Sequence, residues 1–239
     1  HTSSYNDAAD AYIEKISRKG KGYVYQYENR KKQVIEKNIT LKYKNGNEVL
    51  SKIFTGLFTH HGPIMANRNG NWLSLRADNR LMNGLIQCWQ RTKSTDLAGY
   101  KKTMELNGNI SNNTVYADAD GNIAYWHGNR MPRRDVKFDW SKPVDGNKKV
   151  TEWKGLHTLD ETFHIYNPPN GWLQNCNSTP LTAAGNNSPK KENYPAYMIP
   201  DGENFRGINA VRVLNETKAY NMEKVVKAGY DTRLAAFET

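Results

Sequence analysis

The stretch Asn113-Thr-Val-Tyr-Ala-Asp-Ala-Asp-Gly-Asn-Ile-Ala-Tyr-Trp126 contains two short runs of strand-forming residues with a polar turn between them. β-Branched and aromatic residues at 113–117 and 122–126 favour strands, and the glycine of the turn favours a tight reversal. The pattern predicts an antiparallel hairpin. The two aspartates of the turn also resemble the start of a calcium-binding EF-hand loop, but Asn129 stands where such a loop needs a glutamate. We therefore interpret these residues as a structural turn.

Outward from the hairpin, strand-forming residues predict strands at 23–27, 39–43 and 49–54, of which 39–43 alternates with period two, and a turn at Asn45-Gly46. Helical spacing predicts two helices within 81–105, the second opening at Ser94 or Thr95 with Asp96 in its first turn, and a terminal helix over 206–227. The spacing of Ala8, Ala11, Tyr12 and Ile16 predicts a further helix over 7–16.

These elements together predict an α+β fold of antiparallel, β-rich character with segregated helices. We expect a single domain over 1–239. It would comprise a strand-rich part (1–80), a helical insertion (81–105), a second strand-rich part (106–180) and a part with a loop and a helix (181–239).

Composition restricts the class of partner. The chain has 239 residues and a formal net charge of +10. Lysine and arginine are dispersed in small groups without interleaved aromatics, so we predict no nucleic-acid binding, and an anionic substrate or an envelope location accounts for the charge equally well. No run of 18 apolar residues occurs, so we predict no membrane span.

Histidine and cysteine spacing give no specific chemistry. His60 and His61 are adjacent, and neighbouring residues of a strand point to opposite faces, so we expect that they cannot readily chelate one ion together. Cys88 and Cys176 lie in no metal-binding or redox spacing, and nothing beside Cys176 supplies the base that a nucleophilic thiol needs. No GxSxG motif is present, although a Ser-His-Asp triad can arise in any chain order.

Several segments together resemble the penicillin acylase family of N-terminal nucleophile hydrolases. The hairpin at 113–126 is similar to that family's N-x-x-Y-A-D-x-x-G-N-I-x-Y motif. The other similar segments, in the same order as in the family, are Thr2-Ser-Ser-Tyr-Asn-Asp-Ala-Ala-Asp10, His61-Gly-Pro63, Trp153-Lys-Gly-Leu156, Tyr166-Asn-Pro168 with Gly171-Trp172, and Asn175-Cys-Asn-Ser-Thr-Pro180. The resemblance runs from residue 1 to about 215 and implies the αββα fold of these hydrolases.

The resemblance implies amide hydrolysis through a tetrahedral intermediate, whose oxyanion needs hydrogen-bond donors. Carried over position by position, the backbone N–H donor falls on Ser3 and the side-chain amide donor on Asn177. The arginine that supports the surroundings of the nucleophile falls on Arg206. On strand alternation, Asn175 and Asn177 would face one way and Cys176 the other.

The resemblance also implies one structural calcium ion and no organic cofactor. Its ligands would fall on the carboxylates of Asp7 and Asp10 and on the backbone carbonyl of Pro132. A third carboxylate of the family falls near Met198, and a thioether cannot replace it because calcium binds oxygen. Asp7 and Asp10 could instead be acidic residues at a helix N-terminus.

The chain begins at His1, and no nucleophile matches the family's N-terminal serine, cysteine or threonine. We therefore expect part of an acylase β-chain that lacks the α-chain and the N-terminal β-chain segment and is inactive by itself. The substrate would be a penicillin, an acyl-homoserine lactone or a similar N-acyl compound, and the location the bacterial periplasm or exterior. The alternative is a non-catalytic domain of acylase-like fold that binds a ligand or a partner.

Overall fold

A computed structural model describes residues 2–3, 8–78, 81–109, 111–128, 130–198, 202–216 and 219–238. The strands are β1 Thr2–Ser3, β2 Ala9–Glu14, β3 Ile16–Lys19, β4 Gly22–Tyr27, β5 Arg30–Gln33, β6 Ile35–Asn45, β7 Glu48–Phe58, β8 Ile64–Arg68, β9 Asn71–Ala77, β10 Asn112–Ala117, β11 Ile123–Trp126, β12 Val144–Asp145 and β13 His164–Tyr166. The helices are α1 Met82–Arg91, α2 Leu97–Met104, α3 Phe205–Glu216 and α4 Met222–Gly229. The fold is mixed α+β with mostly antiparallel sheets, as predicted.

Contacts divide the chain into two compact units. The first comprises residues 1–8, 79–133 and 155–239, and the second comprises residues 9–78 and 134–154. The single domain over 1–239 stays a prediction.

The first unit contains a four-stranded sheet in the order β1-β10-β11-β13. Antiparallel pairing of β10 with β11 places Thr114 opposite Trp126 and Ala117 opposite Ile123, which confirms the predicted hairpin. Successive residues of β11 pack into different apolar clusters: Trp126 lies against Met104 and Leu159, and Tyr125 lies against Ile165. The hairpin is therefore fixed on both faces.

The second unit contains a four-stranded sheet (β12-β2-β9-β8), a three-stranded sheet (β3-β4-β5) and the two-stranded ribbon β6-β7. The pair β12–β2 is parallel. The predicted strands at 23–27, 39–43 and 49–54 lie within β4, β6 and β7, and the predicted turn at Asn45-Gly46 joins the last two.

The helix predicted over 7–16 is wrong for the residues that the structure describes, because these form β2. Burial alternates along this strand, and Asp10, Tyr12 and Glu14 point into the protein. Two of these three buried positions are acidic, so a search for apolar periodicity misses the period of two. The carboxylates tolerate burial because each has partners that are distant in sequence: Arg134 for Asp10, and Thr59, His61 and Ser74 for Glu14.

The two helices predicted within 81–105 are α1 and α2. The predicted opening of α2 at Ser94 or Thr95 is wrong by one or two residues: the N-cap is Asp96, whose carboxylate accepts a hydrogen bond from the Gly99 backbone N–H at 2.7 Å. The single terminal helix predicted over 206–227 is instead two helices, α3 and α4. Asn221 begins the second by accepting from the Lys224 backbone N–H at 2.9 Å. Among the described helices, none combines the length and apolarity that crossing a bilayer requires.

Candidate functional site

Asn177 lies in a turn of irregular backbone in the first unit. Its φ of 56° is in the left-handed region, which asparagine adopts more readily than most residues. The described residues 167–180 contain no strand, so the expectation of alternating side chains at 175–177 is wrong. The left-handed residue reverses the chain locally and gives Asn177 an orientation that no strand pattern predicts.

A polar network on the sheet holds the segment before Asn177. The Asn113 side chain donates to Asn175 Oδ1 at 3.3 Å, and Asn175 Nδ2 donates to the Tyr125 hydroxyl at 3.2 Å. Tyr125 in turn contacts His127 Nδ1 at 2.8 Å. Asn175 Oδ1 also accepts from the Asn177 backbone N–H at 3.2 Å. Hydrogen bonds therefore join the hairpin at 113–126 to the segment at 175–177.

The N-terminus of α3 holds Asn177 from the other direction. Arg206, in the first turn of this helix, donates to Asn177 Oδ1 at 3.0 Å. Asn204 Nδ2 donates to the carbonyls of Cys176 and Asn177, and Asn204 Oδ1 accepts from the Gly207 backbone N–H. The structure thus brings together Asn177 and Arg206, which were predicted as site residues 29 positions apart in the chain.

A guanidinium has only donors, so the amide atom facing Arg206 must be oxygen. This fixes the orientation of the Asn177 amide, with Nδ2 on the side away from the guanidinium. The positive charge beside Oδ1 also polarises the amide and strengthens its N–H groups as donors.

Ser3 enters the same sheet through its backbone. β1 pairs with β10 so that Ser3 lies opposite Asn112 and Thr2 opposite Asn113. Asn113 is the residue whose side chain reaches Asn175. The backbone of Ser3 therefore lies on the strand next to the one that supports the Asn177 segment.

Cys176 has the character of a buried thiol. Burial raises its pKa above the ordinary value, and the nearby Arg206 only partly opposes this. A raised pKa disfavours the thiolate that a nucleophile or a metal ligand needs. The raised pKa therefore does not favour Cys176 as a nucleophile.

The residues predicted to bind calcium fit that ion poorly where they are described. The buried Asp10 Oδ2 accepts from Arg134 Nε at 2.7 Å and from Trp153 Nε1 at 2.5 Å. Burial raises the pKa of Asp10, although Arg134 opposes the shift. Met198, at the position of a third family carboxylate, is buried in an apolar cluster.

Asp10 Oδ2 is therefore already occupied by two donors and is poorly placed to bind calcium as well. The Pro132 backbone forms a bridge with Leu156, and Asp7 lies outside the described residues. The calcium ion stays a prediction, and no chemical step is derived through it.

His60 and His61 lie in a tight turn of the second unit rather than in a strand. The turn links β7 to β8, and the Thr59 backbone N–H donates to the Gly62 carbonyl at 2.9 Å. The expectation that the two imidazoles point to opposite faces is therefore wrong: their ring centroids are 3.9 Å apart. Gly62 has a φ of 148°, and a Cβ there would lie 2.1 Å from the Leu75 carbonyl oxygen, so the turn requires glycine.

Both imidazoles contact one carboxylate. Glu152 Oε1 lies 2.8 Å from His60 Nε2 and 3.1 Å from His61 Nε2, while Oε2 accepts from Arg76 at 2.8 Å. On the opposite side of its ring, His61 Nδ1 lies 2.8 Å from Glu14 Oε1. The Tyr25 hydroxyl lies 3.0 Å from His60 Nδ1. The histidine cluster is defined as these six residues: Glu14, Tyr25, His60, His61, Arg76 and Glu152.

The cluster shifts the ionisation of its members. Burial alone would lower the pKa of His61, but hydrogen bonds with Glu14 and Glu152 outweigh burial and raise it. Burial likewise opposes ionisation of Glu152, and the hydrogen bonds of the two histidines hold its pKa below the ordinary value.

Sequence reasoning missed this cluster. The Gly-Pro pair directly after the histidines was a usable signal, because it favours a turn in which strand alternation does not apply. Glu14 and Glu152 offered no signal, since their approach to the histidines depends on long-range pairing.

The family model described as penicillin amidase matches residues 1–239. Penicillin G acylase of Escherichia coli is 28% identical over 199 residues, or 82% of this chain. The acyl-homoserine lactone acylase QuiP of Pseudomonas fluorescens is 26% identical over 188 residues, or 74% of this chain.

Among solved structures, a thermostable penicillin G acylase from Alcaligenes faecalis superimposes with a TM-score of 0.76 at 22% identity. The match covers 95% of this chain and 39% of that chain. At 22% identity, this structural similarity shows that the two chains share a fold and shows nothing further. The matches cover 22% of the length of each of the two curated relatives.

Proposed function

Because the chain belongs to the penicillin amidase family, we propose that it is part of an amidohydrolase that cleaves the amide bond of an N-acyl compound. In this proposal, Asn177 donates a hydrogen bond to the oxyanion of the tetrahedral intermediate. Arg206 is a positioning residue that acts through Asn177.

The observation that carries the proposal is the contact between Arg206 and Asn177 Oδ1. When a nucleophile adds to an amide carbonyl, the oxygen gains negative charge, and donors already in place stabilise it without reorganisation. An asparagine amide suits this task because it donates without transferring a proton. The left-handed backbone and the contacts of Asn175 and Asn204 support a fixed Asn177 before substrate binds.

A second donor is the backbone N–H of Ser3. Its strand is paired with β10, whose Asn113 supports the Asn177 segment. One donor from strand β1 and one from the irregular segment at Asn177 would hold the oxyanion in one position, which is the arrangement that stabilises a transition state more than a planar ground-state carbonyl.

The nucleophile in this proposal is an N-terminal serine, cysteine or threonine of the whole protein, with its own α-amino group as the base. It attacks the carbonyl carbon, the amine departs with a proton, and water then releases the acyl group. The whole protein would have the αββα sandwich of N-terminal nucleophile hydrolases. The similarity to an acylase structure over 95% of the chain supports this assignment.

The substrate class follows from what the relatives share. One relative is named for penicillin G and the other for acyl-homoserine lactones, and both compounds carry an acyl group on a secondary amide. We therefore propose an N-acyl amide as substrate, with the choice of acyl group made elsewhere in the whole protein.

The test is steady-state hydrolysis of a panel of N-acyl amides by the whole protein and by its Asn177→Ala variant. We expect kcat/KM to fall about 10²- to 10³-fold with KM nearly unchanged, since the lost bond forms in the transition state. The matched control is Asn186→Ala, because Asn186 is an exposed asparagine in the short 3₁₀ helix Gly185–Asn187. A whole protein without amidase activity would exclude the function, whereas an active Asn177→Ala variant would exclude only the oxyanion role.

The 239-residue chain alone should release no amine from the same substrates. Turnover by this chain, abolished in its Asn177→Ala variant, would place a nucleophile within these residues and contradict the proposed source of the attacking group.

A further inference from the structure

We propose that His60, His61 and Glu152 bind one divalent transition-metal ion of the Zn²⁺ class. The site lies in the second unit and goes beyond the proposed amidohydrolase function, which uses none of these residues.

Three potential ligand atoms converge at this place. One ring nitrogen of His60, one ring nitrogen of His61 and one oxygen of Glu152 lie within 4.8 Å of one another. Glu152 Oε1 is the common neighbour, at 2.8 and 3.1 Å from the two nitrogens. Ligands of a tetrahedral zinc ion lie about 2.0–2.2 Å from the metal, so neighbouring ligand atoms are somewhat more than 3 Å apart. Small side-chain movements are enough to admit an ion among the three atoms.

Each ligand already has an outer partner that fixes its orientation. His61 Nδ1 lies 2.8 Å from the carboxylate of Glu14, and His60 Nδ1 lies 3.0 Å from the Tyr25 hydroxyl. Arg76 holds Glu152 Oε2 at 2.8 Å, which directs Oε1 toward the histidines. Metal-binding histidines in proteins commonly donate their second ring N–H to a carboxylate or another oxygen. The outer partners here leave the two Nε2 atoms as the metal-facing nitrogens.

Burial differs among the ligands in a way that suits an exchangeable ion. The His61 side chain is fully buried and stacks on Tyr12 at 3.8 Å between ring centroids. The side chains of His60 and Glu152 are 28% and 21% exposed. The site is thus buried on the side of His61 and open to solvent on the side of His60 and Glu152, where a water molecule can supply the fourth ligand.

The donor set selects the class of ion. Two imidazole nitrogens and one carboxylate oxygen suit zinc and its neighbours, whereas calcium and magnesium prefer all-oxygen sites. Without a metal, the Nε2 atoms of His60 and His61 form hydrogen bonds with Glu152 Oε1. The metal ion must replace the protons of these hydrogen bonds, so binding should release protons into solution.

The direct test is calorimetric titration of the full, untagged, EDTA-treated chain with Zn²⁺. We expect one ion per chain. His60→Asn should weaken binding about 100-fold or more because it removes a ligand, and Tyr25→Phe about 10-fold because it removes only an outer contact. The matched control is His164→Asn, since His164 is a half-buried histidine of the first unit whose Nδ1 contacts a backbone carbonyl.

His60 is exposed at its ring edge, and circular dichroism of His60→Asn checks that the variant folds. Titration in buffers of different ionisation enthalpy measures the released protons, and X-ray absorption of the zinc form reports the ligands. Two imidazoles and a carboxylate bound directly to the zinc ion would support the site. Absence of one-to-one binding, equal affinity of His60→Asn and the wild-type chain, or weakening by His164→Asn alone would overturn it.

Discussion

Two loop regions of this protein hold polar groups in very different ways. At Asn177 a single neutral amide is flanked by one exposed cation, Arg206. In the histidine cluster, two imidazoles and two carboxylates lie together with Arg76, and only His61 and Glu14 are fully buried. A neutral donor is suited to a charge that appears only during a reaction, whereas a permanent set of ligands is suited to a bound cation.

The two regions also differ in what fixes them. Asn177 has a left-handed backbone that asparagine tolerates, and side-chain hydrogen bonds hold its segment. The histidine turn depends on Gly62, at which the Leu75 carbonyl excludes any Cβ. We therefore expect the first region to be sensitive in catalysis and the second in stability.

The largest effect should come from Gly62→Ala in the second region. Its methyl group would meet the Leu75 carbonyl oxygen 2.1 Å away, and the chain must shift to relieve the clash. We expect the free energy of unfolding to fall by about 3 kcal/mol or more, measured by urea denaturation. Gly70→Ala is the matched control, because Gly70 has a φ of 78° with nothing within 4 Å, and should cost about 1 kcal/mol. Equal losses would mean that the turn is not held as described.

Arg206→Lys should have a smaller effect, confined to activity of the whole protein. Lysine keeps the charge but loses the planar donor that orients Asn177 Oδ1. We expect kcat to fall about 10-fold, or about 1.4 kcal/mol, with KM and unfolding free energy nearly unchanged. The control is Arg212→Lys on the same helix, whose partners are Asn209, Glu216 and Asp231. A rise in KM with unchanged kcat would instead indicate a substrate-binding role for Arg206.

The smallest effect concerns the thiol beside Asn177. Cys176 is half-buried with a raised pKa, and Cys88 is exposed. We expect iodoacetamide at neutral pH to alkylate Cys88 several-fold faster, roughly in line with its greater access, as measured by peptide mass spectrometry over time. Faster alkylation of Cys176 would indicate an activated thiolate. Cys176 would then be a candidate nucleophile, contrary to what its raised pKa implies.

The sequence predicted local structure well where a strand or helix carries its own signal. The hairpin of β10 and β11 has alternating side chains and a glycine turn within 14 residues, and α2 begins close to the predicted cap. It failed at β2, where the buried positions include Asp10 and Glu14. Carboxylates are buried there because of partners that lie far away in the chain, which no local pattern contains.

For this protein, the sequence by itself determined the α+β class through short-range periodicity, and the family through the order of its motifs. The resemblance to that family then predicted Asn177 and Arg206 as site residues, and this assignment stays a prediction. Only the tertiary structure decided that Arg206 reaches Asn177 Oδ1 and that His60, His61 and Glu152 converge. The physical reason is that both arrangements depend on irregular backbone, at Asn177 and at Gly62, and on contacts between residues 29 and about 90 positions apart.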